Sequence, residues 1–120
     1  MMHPEGGHVR VPLHDSDINL KFKGVCPFHG ACLEGMVTNN AIKERLGLGS
    51  VAEAASLADD HPVWDILAHY LGIFCSNLYL TTSVERIILG GGVLKREVLL
   101  TKIREVFTKN INGYVKLDGI

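Results

Sequence analysis

Four residues with metal-binding side chains constrain this sequence more than any other feature. His8 is followed by Cys26, His29 and Cys32, which gives the spacing H-x17-C-x2-H-x2-C. Zinc in structural sites is bound by four such thiolate and imidazole ligands, which surround the ion as a tetrahedron. The sequence therefore predicts a structural zinc site, with residues 8–32 folded around the ion.

The fourth ligand is the least constrained member of this set. The two cysteines and the histidine at 26–32 share one short loop with a proline and a glycine, so local spacing alone supports their assignment. His8 competes with His3 and His14 for the remaining position. Spacing excludes none of these three histidines.

Two acidic residues flank the same loop. Glu5 precedes His8 by three positions, and Glu34 follows Cys32 by two. Ionised carboxylates accept hydrogen bonds from hydroxyl groups, and both of these carboxylates would be tethered to the metal-bound loop. The arrangement indicates a site that presents carboxylates to a polyhydroxylated ligand.

The composition is that of one folded domain with a modest core. The chain has 120 residues, of which 47% are hydrophobic and 21% are charged, and its formal net charge is −1. A nearly neutral chain without a run of basic residues gives no electrostatic reason to expect a nucleic-acid or anionic-membrane partner.

Cysteine usage and hydropathy indicate the compartment. The chain has three cysteines, two of them in the zinc loop, which predicts a reducing environment and no disulfide framework. No apolar run is long enough to span a bilayer, and no secretory signal pattern is evident. We therefore expect a cytoplasmic protein.

Hydrophobic periodicity predicts alternating helices and strands. Helices are expected over residues 32–46, 51–57, 62–82 and 97–110, and strands over residues 9–13, 86–89 and 114–117. In the second half the order is helix, strand, glycine turn, helix and strand, which is typical of an α/β unit with a right-handed crossover. The predicted fold class is therefore α/β.

The triple glycine after the predicted strand 86–89 has two interpretations. Gly90, Gly91 and Gly92 could form a loop whose backbone approaches a nucleotide with no Cβ atom in the way. They could equally form a tight strand-to-helix turn that needs unusual backbone angles. The pattern lacks the lysine of a P-loop, so no P-loop is predicted.

Three motifs of this chain occur in the same order in a known family of kinases. They are Glu5-Gly6-Gly7-His8, the block Cys-Pro-Phe-His-Gly-Ala-Cys-Leu-Glu-Gly over residues 26–35, and the run Glu-Arg-Ile-Ile-Leu-Gly-Gly-Gly-Val over residues 85–93. With these motifs the chain resembles the C-terminal portion of ROK-family sugar kinases over nearly its whole length. His29 stands where many family members carry a further cysteine, which favours the fructokinase-like branch.

The resemblance implies a fold and a domain organisation. The fold would be part of an actin-like, ribonuclease-H-like ATPase domain with a zinc-binding loop. Residues 1–120 would form the C-terminal part of that domain, with the zinc loop at 8–32 and a helical and α/β portion at 33–120. The N-terminal ATPase half would lie outside this sequence, and His8 becomes the favoured fourth zinc ligand.

The resemblance also implies an activity, which is ATP-dependent phosphorylation of a hexose, most of all fructose to fructose 6-phosphate. Glu5, His8 and Glu34 would contact the sugar, and the glycines at 90–92 would contact the nucleotide of Mg-ATP, the co-substrate. The family's catalytic carboxylate belongs to the N-terminal half. We therefore assign no catalytic residue to this chain and expect it to be inactive alone. Homodimers are expected by family analogy.

Two other functions are weighed against this one. A non-catalytic zinc module could bind a sugar or a partner protein through the same acidic side chains. A nucleic-acid zinc finger, or a repressor of the same family, is disfavoured because the loop is poor in lysine and arginine and the net charge is slightly negative.

Overall fold

A computed structural model of the chain describes residues 2–120, which form helices and turns. The chain divides into two compact units, Met1–Ala58 and Asp59–Ile120. In the first unit a 3-10 turn precedes four short helices. The turn is Gly6–His8, and the helices are α1 (Asp15–Leu20), α2 (Leu33–Val37), α3 (Asn39–Leu46) and α4 (Val51–Ala55).

The helix predicted over residues 32–46 is two helices in the structure. Thr38 has extended backbone angles, and its Oγ1 accepts a hydrogen bond from the backbone N–H of Ala41 (3.1 Å). A threonine that caps a helix in this way begins a new helix at the next residue. The chain therefore turns between α2 and α3. At this turn the backbone carbonyl of Met36 accepts a hydrogen bond from the Arg45 side chain.

The short helix α4 begins as its sequence predicts. Ser50 Oγ accepts a hydrogen bond from the backbone N–H of Glu53 (3.2 Å), and the Glu53 carboxylate accepts one from the backbone N–H of Gly49 (2.8 Å). The first bond satisfies an N–H group that a helix start leaves unpaired, and the second fixes the residue before the N-cap. The helix ends at Ala55, two residues before the predicted end.

The core of the first unit combines apolar side chains with one charged pair. Its buried apolar residues include Val11, Cys32, Leu33, Met36, Ala41, Ile42 and Ala54. Asp17 on α1 and Arg45 on α3 are buried in the same unit and form an ion pair, in which Arg45 Nε donates to Asp17 Oδ1 (2.7 Å). A polar bond therefore connects α1 to α3 across an otherwise apolar interior.

The second unit is built on two long helices. They are α5 (Val63–Thr82), which confirms the helix predicted over residues 62–82, and α6 (Glu97–Ile111), which a 3-10 turn at Val93–Lys95 precedes. Contacts between them are, in order along α5, Asp65 to Lys102, Gly72 to Val106 and Ser76 to Asn110. Both partners advance along the chain together, so the two helices run in the same direction.

The three predicted strands are wrong for the structure that residues 2–120 adopt. Residues 9–13, 86–89 and 114–117 are irregular, and the described chain has one isolated bridge, between Cys26 and Gly30, in place of a sheet. A strand is stable only when its backbone N–H and C=O groups pair with a neighbouring strand. Ile88, in the centre of the strongest predicted strand, is 86% exposed. The α/β order predicted for the second unit is therefore wrong for the described residues. An irregular segment connects α5 to the 3-10 turn before α6.

None of the helices among residues 2–120 combines the length and the apolar character that crossing a bilayer requires.

Gly72 sets how closely α5 and α6 approach each other. A Cβ atom added at Gly72 would lie 2.6 Å from Val106 Cβ and 3.0 Å from the Ile103 carbonyl oxygen. Real side chains do not come this close, so α6 occupies space that only glycine leaves empty. Tyr79 and Phe107 pack further along the same interface with their rings edge to face, 5.7 Å between centroids.

The substitution Gly72→Ala should destabilise the second unit. Overpacking costs about 1–3 kcal/mol, which exceeds the gain of about 1 kcal/mol from replacing a helical glycine by alanine. Urea unfolding, followed by circular dichroism, would measure the difference. Asn77→Ala, at an exposed position of α5, is the matched control and should change the free energy of unfolding by less than about 0.5 kcal/mol. Equal stability of Gly72→Ala and the parent chain would contradict this account of the interface.

Candidate metal centre

The structure brings the four predicted ligands together at one point of the first unit. His8 Nδ1 lies 3.7 Å from Cys32 Sγ, 3.9 Å from Cys26 Sγ and 3.2 Å from His29 Nδ1. Cys26 Sγ is 3.8 Å from His29 Nδ1. All four ligand atoms lie within 4.8 Å of one another, and they form a group that could hold a metal ion.

These separations match a tetrahedral zinc site. Zinc–nitrogen bonds of about 2.05 Å and zinc–sulfur bonds of about 2.3 Å place two nitrogens about 3.3 Å apart, and a nitrogen and a sulfur about 3.6 Å apart. The observed distances of 3.2 Å between nitrogens and 3.7–3.9 Å between nitrogen and sulfur are close to these values. Two thiolates and two imidazoles are also the donor set that zinc prefers. The residues present therefore fit zinc.

A tight turn presents the ligands of the short loop. The backbone N–H of Cys26 donates to the Gly30 carbonyl (3.3 Å), and the N–H of Gly30 donates back to the Cys26 carbonyl (2.9 Å). Gly30 has φ +63°, in the left-handed region that suits glycine. Because of this turn, the backbone N–H of His29 points at Cys26 Sγ and donates to it (3.4 Å).

The two cysteines of the centre differ in acidity. The hydrogen bond from the His29 backbone is the largest cause that lowers the pKa of Cys26 from 9.0 to about 6, which favours the thiolate form of this sulfur. Burial raises the pKa of Cys32, which is fully buried. A cation bound between the two sulfurs would stabilise the Cys32 thiolate as well.

Two hydrogen bonds fix the His8 segment against the loop. The backbone N–H of Leu33, the first residue of α2, donates to the Val9 carbonyl (2.8 Å). The guanidinium of Arg10 donates from Nη2 to the His29 carbonyl (2.9 Å). Val9 and Arg10 are thus bonded to the loop and to the helix that follows it, which explains how a ligand 18 positions before Cys26 reaches the centre.

The two competing histidines lie outside the cluster. His14 is the N-cap of α1, and its Nδ1 accepts a hydrogen bond from the backbone N–H of Ser16 (3.1 Å). His3 is exposed, and among residues 2–120 the group of possible metal ligands contains neither histidine. Of the three candidates, the geometry brings His8 to the other ligands.

One of the two flanking carboxylates faces the metal centre. Glu34 lies in the first turn of α2, and its Oε2 is 3.5 Å from His8 Nε2. His8 therefore directs Nδ1 towards the sulfurs and Nε2 towards a carboxylate. Carboxylate–histidine–metal arrangements of this kind fix the orientation of the imidazole ring. Glu5 contributes its backbone, since its carbonyl accepts from the N–H of His8 (3.0 Å).

The triple glycine lies in the second unit and is exposed. Gly91 has φ +108°, and no atom lies within 4 Å of a Cβ added at Gly90 or Gly91. Gly92 follows with ordinary helical angles and begins the 3-10 turn before α6. The backbone at Gly90 and Gly91 is open, as a nucleotide contact would require. The φ angle of Gly91 is equally what a tight turn with unusual backbone angles would require.

Three charged residues with long-range contacts in the first unit carry no signal in the sequence. They are Arg10, which bonds the loop, and the buried pair Asp17 and Arg45. The partners of each bond are 19 or 28 positions apart, and an isolated charged residue carries no local sign of a distant partner. The cysteines and histidine were found because their spacing is short.

The comparison with protein families identifies the chain's relatives. Residues 1–118 match the model of the ROK family, and the chain therefore belongs to the ROK family. This family has the actin-like ATPase fold. The resemblance inferred from the three motifs is thus confirmed, and the family-level fold prediction with it.

Individual relatives are fructokinases by name. The chain is 38% identical over 115 residues to the fructokinase of Lactococcus lactis subsp. cremoris, an alignment that covers 96% of this chain and 38% of the relative. It is 35% identical over 121 residues to the fructokinase of Streptococcus mutans serotype c, which covers 100% of this chain and 40% of the relative. A putative fructokinase of Bacillus subtilis is 33% identical over 120 residues, again covering 100% of this chain and 38% of the relative. The chain spans about two fifths of the length of these relatives.

Helix α2 packs directly against the ligand turn at Gly35. A Cβ atom added there would lie 1.9 Å from the Gly30 carbonyl oxygen and 3.0 Å from the Cys26 nitrogen. The Gly35 carbonyl also accepts a hydrogen bond from the backbone N–H of Val25 (2.9 Å). The position of the turn that carries Cys26 and His29 thus depends on the absence of a side chain at residue 35.

The substitution Gly35→Ala should therefore displace the turn and weaken metal binding, by about tenfold or more if it acts like the loss of a supporting bond. Competition with a chromophoric chelator would measure the zinc affinity. Gly49→Ala is the matched control, because a Cβ atom at Gly49 would meet its nearest neighbour at an ordinary 3.5 Å. The same zinc affinity for both variants would contradict the role of this close approach.

Proposed function

We propose that this protein is the C-terminal part, residues 1–120, of a sugar kinase domain that phosphorylates a hexose with Mg-ATP, fructose above all. The observation that carries the proposal is the convergence of His8, Cys26, His29 and Cys32, with Glu34 facing the second nitrogen of His8. Family membership and the fructokinase names of the relatives support it.

In this proposal the four ligands hold a structural zinc ion. A site with four protein ligands has no open position for a reacting water, so the ion stabilises the loop and does not activate a nucleophile. A zinc ion bound to Nδ1 of His8 would leave the Nε2–H group of the same ring as a hydrogen-bond donor. His8 and the carboxylates of Glu5 and Glu34 are then the groups that bind sugar hydroxyls.

Phosphoryl transfer requires alignment of the hexose and neutralisation of charge around the γ-phosphate. We assign the general base to the N-terminal ATPase half of the domain and no catalytic residue to this chain, which we expect to be inactive alone. The exposed turn of Gly90, Gly91 and Gly92 is the proposed nucleotide contact, because its backbone carries no side chains. A cytoplasmic location and a homodimer remain predictions.

The substitution Glu34→Gln tests the sugar-side role. The experiment replaces the matching segment of the Lactococcus lactis fructokinase with this chain and measures phosphorylation of fructose. Loss of a charge-assisted hydrogen bond should raise the KM for fructose about tenfold or more, with the KM for ATP changed less than about twofold. Equal increases in both constants would contradict a role at the sugar.

The control and the rival function use the same chimera. Glu44→Gln, on the exposed surface of α3, should leave both KM values unchanged. The rival function is a non-catalytic zinc module, which the location of all four ligands within the first unit favours. A chimera that binds fructose but never phosphorylates it would support the module over the kinase.

The zinc assignment is tested on the chain alone. Elemental analysis of the purified protein should find about one zinc ion per chain. Cys32→Ser should lower this content, because a site that loses one of four ligands binds its metal more weakly. Cys75→Ser, which replaces a buried cysteine of the second unit, is the control and should keep the ion. Unchanged zinc content in Cys32→Ser would refute Cys32 as a ligand.

A further inference from the structure

We infer that the buried ion pair of Asp17 and Arg45 is a positioning device for the metal centre, which aligns the chain segments that carry the four ligands. The inference rests on the metal centre of the proposed function and adds residues to which that function assigns no role. It concerns the first unit alone.

The pair has the geometry of a directional contact. Arg45 Nε donates to Asp17 Oδ1 (2.7 Å), and Arg45 Nη2 donates to Asp17 Oδ2 (3.1 Å). The guanidinium therefore binds the carboxylate in a bidentate contact. The side chains of Arg45 and Asp17 are 1% and 0% exposed. Two-bond contacts of arginine with a carboxylate fix orientation as well as distance.

The same guanidinium contacts two further segments. Its Nη2 also donates to the Met36 carbonyl near the end of α2 (2.8 Å), and it lies over the ring of Phe22, 4.5 Å from the ring centroid. Arg45 therefore contacts α1, the residues after α1 and helix α2 from its own position on α3.

The contacted segments outside α3 connect the ligands or adjoin them. Asp17 lies halfway along the connection of 17 residues between His8 and Cys26, and Phe22 lies close to its end. Helix α2 begins directly after Cys32. Fixing the middle of a connection to a buried point divides a long loop into two shorter ones, which lowers the entropy cost of bringing its ends together. The pair thus favours the arrangement in which His8 and Cys26 meet.

Stability alone is a poor explanation for this pair. Burying two charges costs about as much as their attraction returns, and apolar residues often replace such pairs without loss of stability. Arg45 Nη1 is buried and has no hydrogen-bond acceptor among residues 2–120, so the site does not satisfy every donor. What an apolar pair would lack is the fixed direction of three hydrogen bonds.

The experiment measures zinc release from the intact chain to a chromophoric chelator, together with the visible absorption spectrum of the cobalt-substituted protein. Arg45→Met should release zinc about tenfold faster or more, which is the scale reported for loss of a residue that orients metal ligands. It should also change the cobalt spectrum, because the tetrahedron of ligands is distorted. Arg45→Lys, which keeps the charge but loses the two-bond contact, should release zinc at an intermediate rate.

Two control variants on the same helix separate positioning from general destabilisation. Lys43→Met removes the charge of a half-buried side chain two positions away and should match the parent chain in both measurements. Ile42→Ala removes buried apolar contacts and should lower the unfolding midpoint without changing the cobalt spectrum. A change in the spectrum is thus specific to the loss of the ion pair.

Three outcomes would overturn the inference. They are a folded Arg45→Met chain with parental zinc release, an unchanged cobalt spectrum, and an Ile42→Ala chain with the same faster release and altered spectrum. If the Arg45→Met chain loses its helical circular dichroism, the zinc release rate and cobalt spectrum of Arg45→Lys decide between the same outcomes. A parent chain that binds no zinc would refute the metal centre and this inference together, whereas a zinc-loaded parent with unaffected variants would refute this inference alone.

Discussion

The first unit is organised around the convergence of two cysteine and two histidine side chains on one point. Its four helices have five to eight residues each, too few for helices that are stable by themselves. An ion bound to His8 and to the loop at 26–32 would close the chain on itself, which is how small units compensate for a small core. The tight turn and Gly35, which packs against it, position Cys26 and His29 within this convergence. We infer the same kind of role for the buried ion pair of Asp17 and Arg45.

His8 connects the candidate metal centre with Glu34 through the two nitrogens of one side chain. His8 directs one ring nitrogen to the sulfurs and the other to Glu34, so the metal-facing and ligand-facing surfaces of the site share an imidazole. An ion at Nδ1 determines which nitrogen carries the proton, and hence what Nε2 donates. In the function we propose, a structural ion would in this way define the hydrogen bonds offered to a sugar without contacting the sugar itself.

Local signals in the sequence predicted the parts of the structure that local interactions determine. Close spacing revealed Cys26, His29 and Cys32, and apolar periodicity revealed α5 and α6. The strand at 86–89 was wrong because a strand depends on partners, which a run of β-branched residues cannot supply. The break at Thr38 was missed because a capping threonine inside an apolar pattern looks like a helical residue. The ion pair of α1 and α3 was missed because its partners are 28 positions apart.

Zinc K-edge X-ray absorption of the purified chain tests the central claim most directly, because it reports the atoms bound to the metal. Our account predicts about one zinc ion per chain, bound by two sulfurs at about 2.3 Å and two nitrogens at about 2.05 Å, with a four-coordinate edge shape. A shell dominated by oxygen, a higher coordination number, or a folded chain without zinc would contradict the claim that these four residues form a closed structural site.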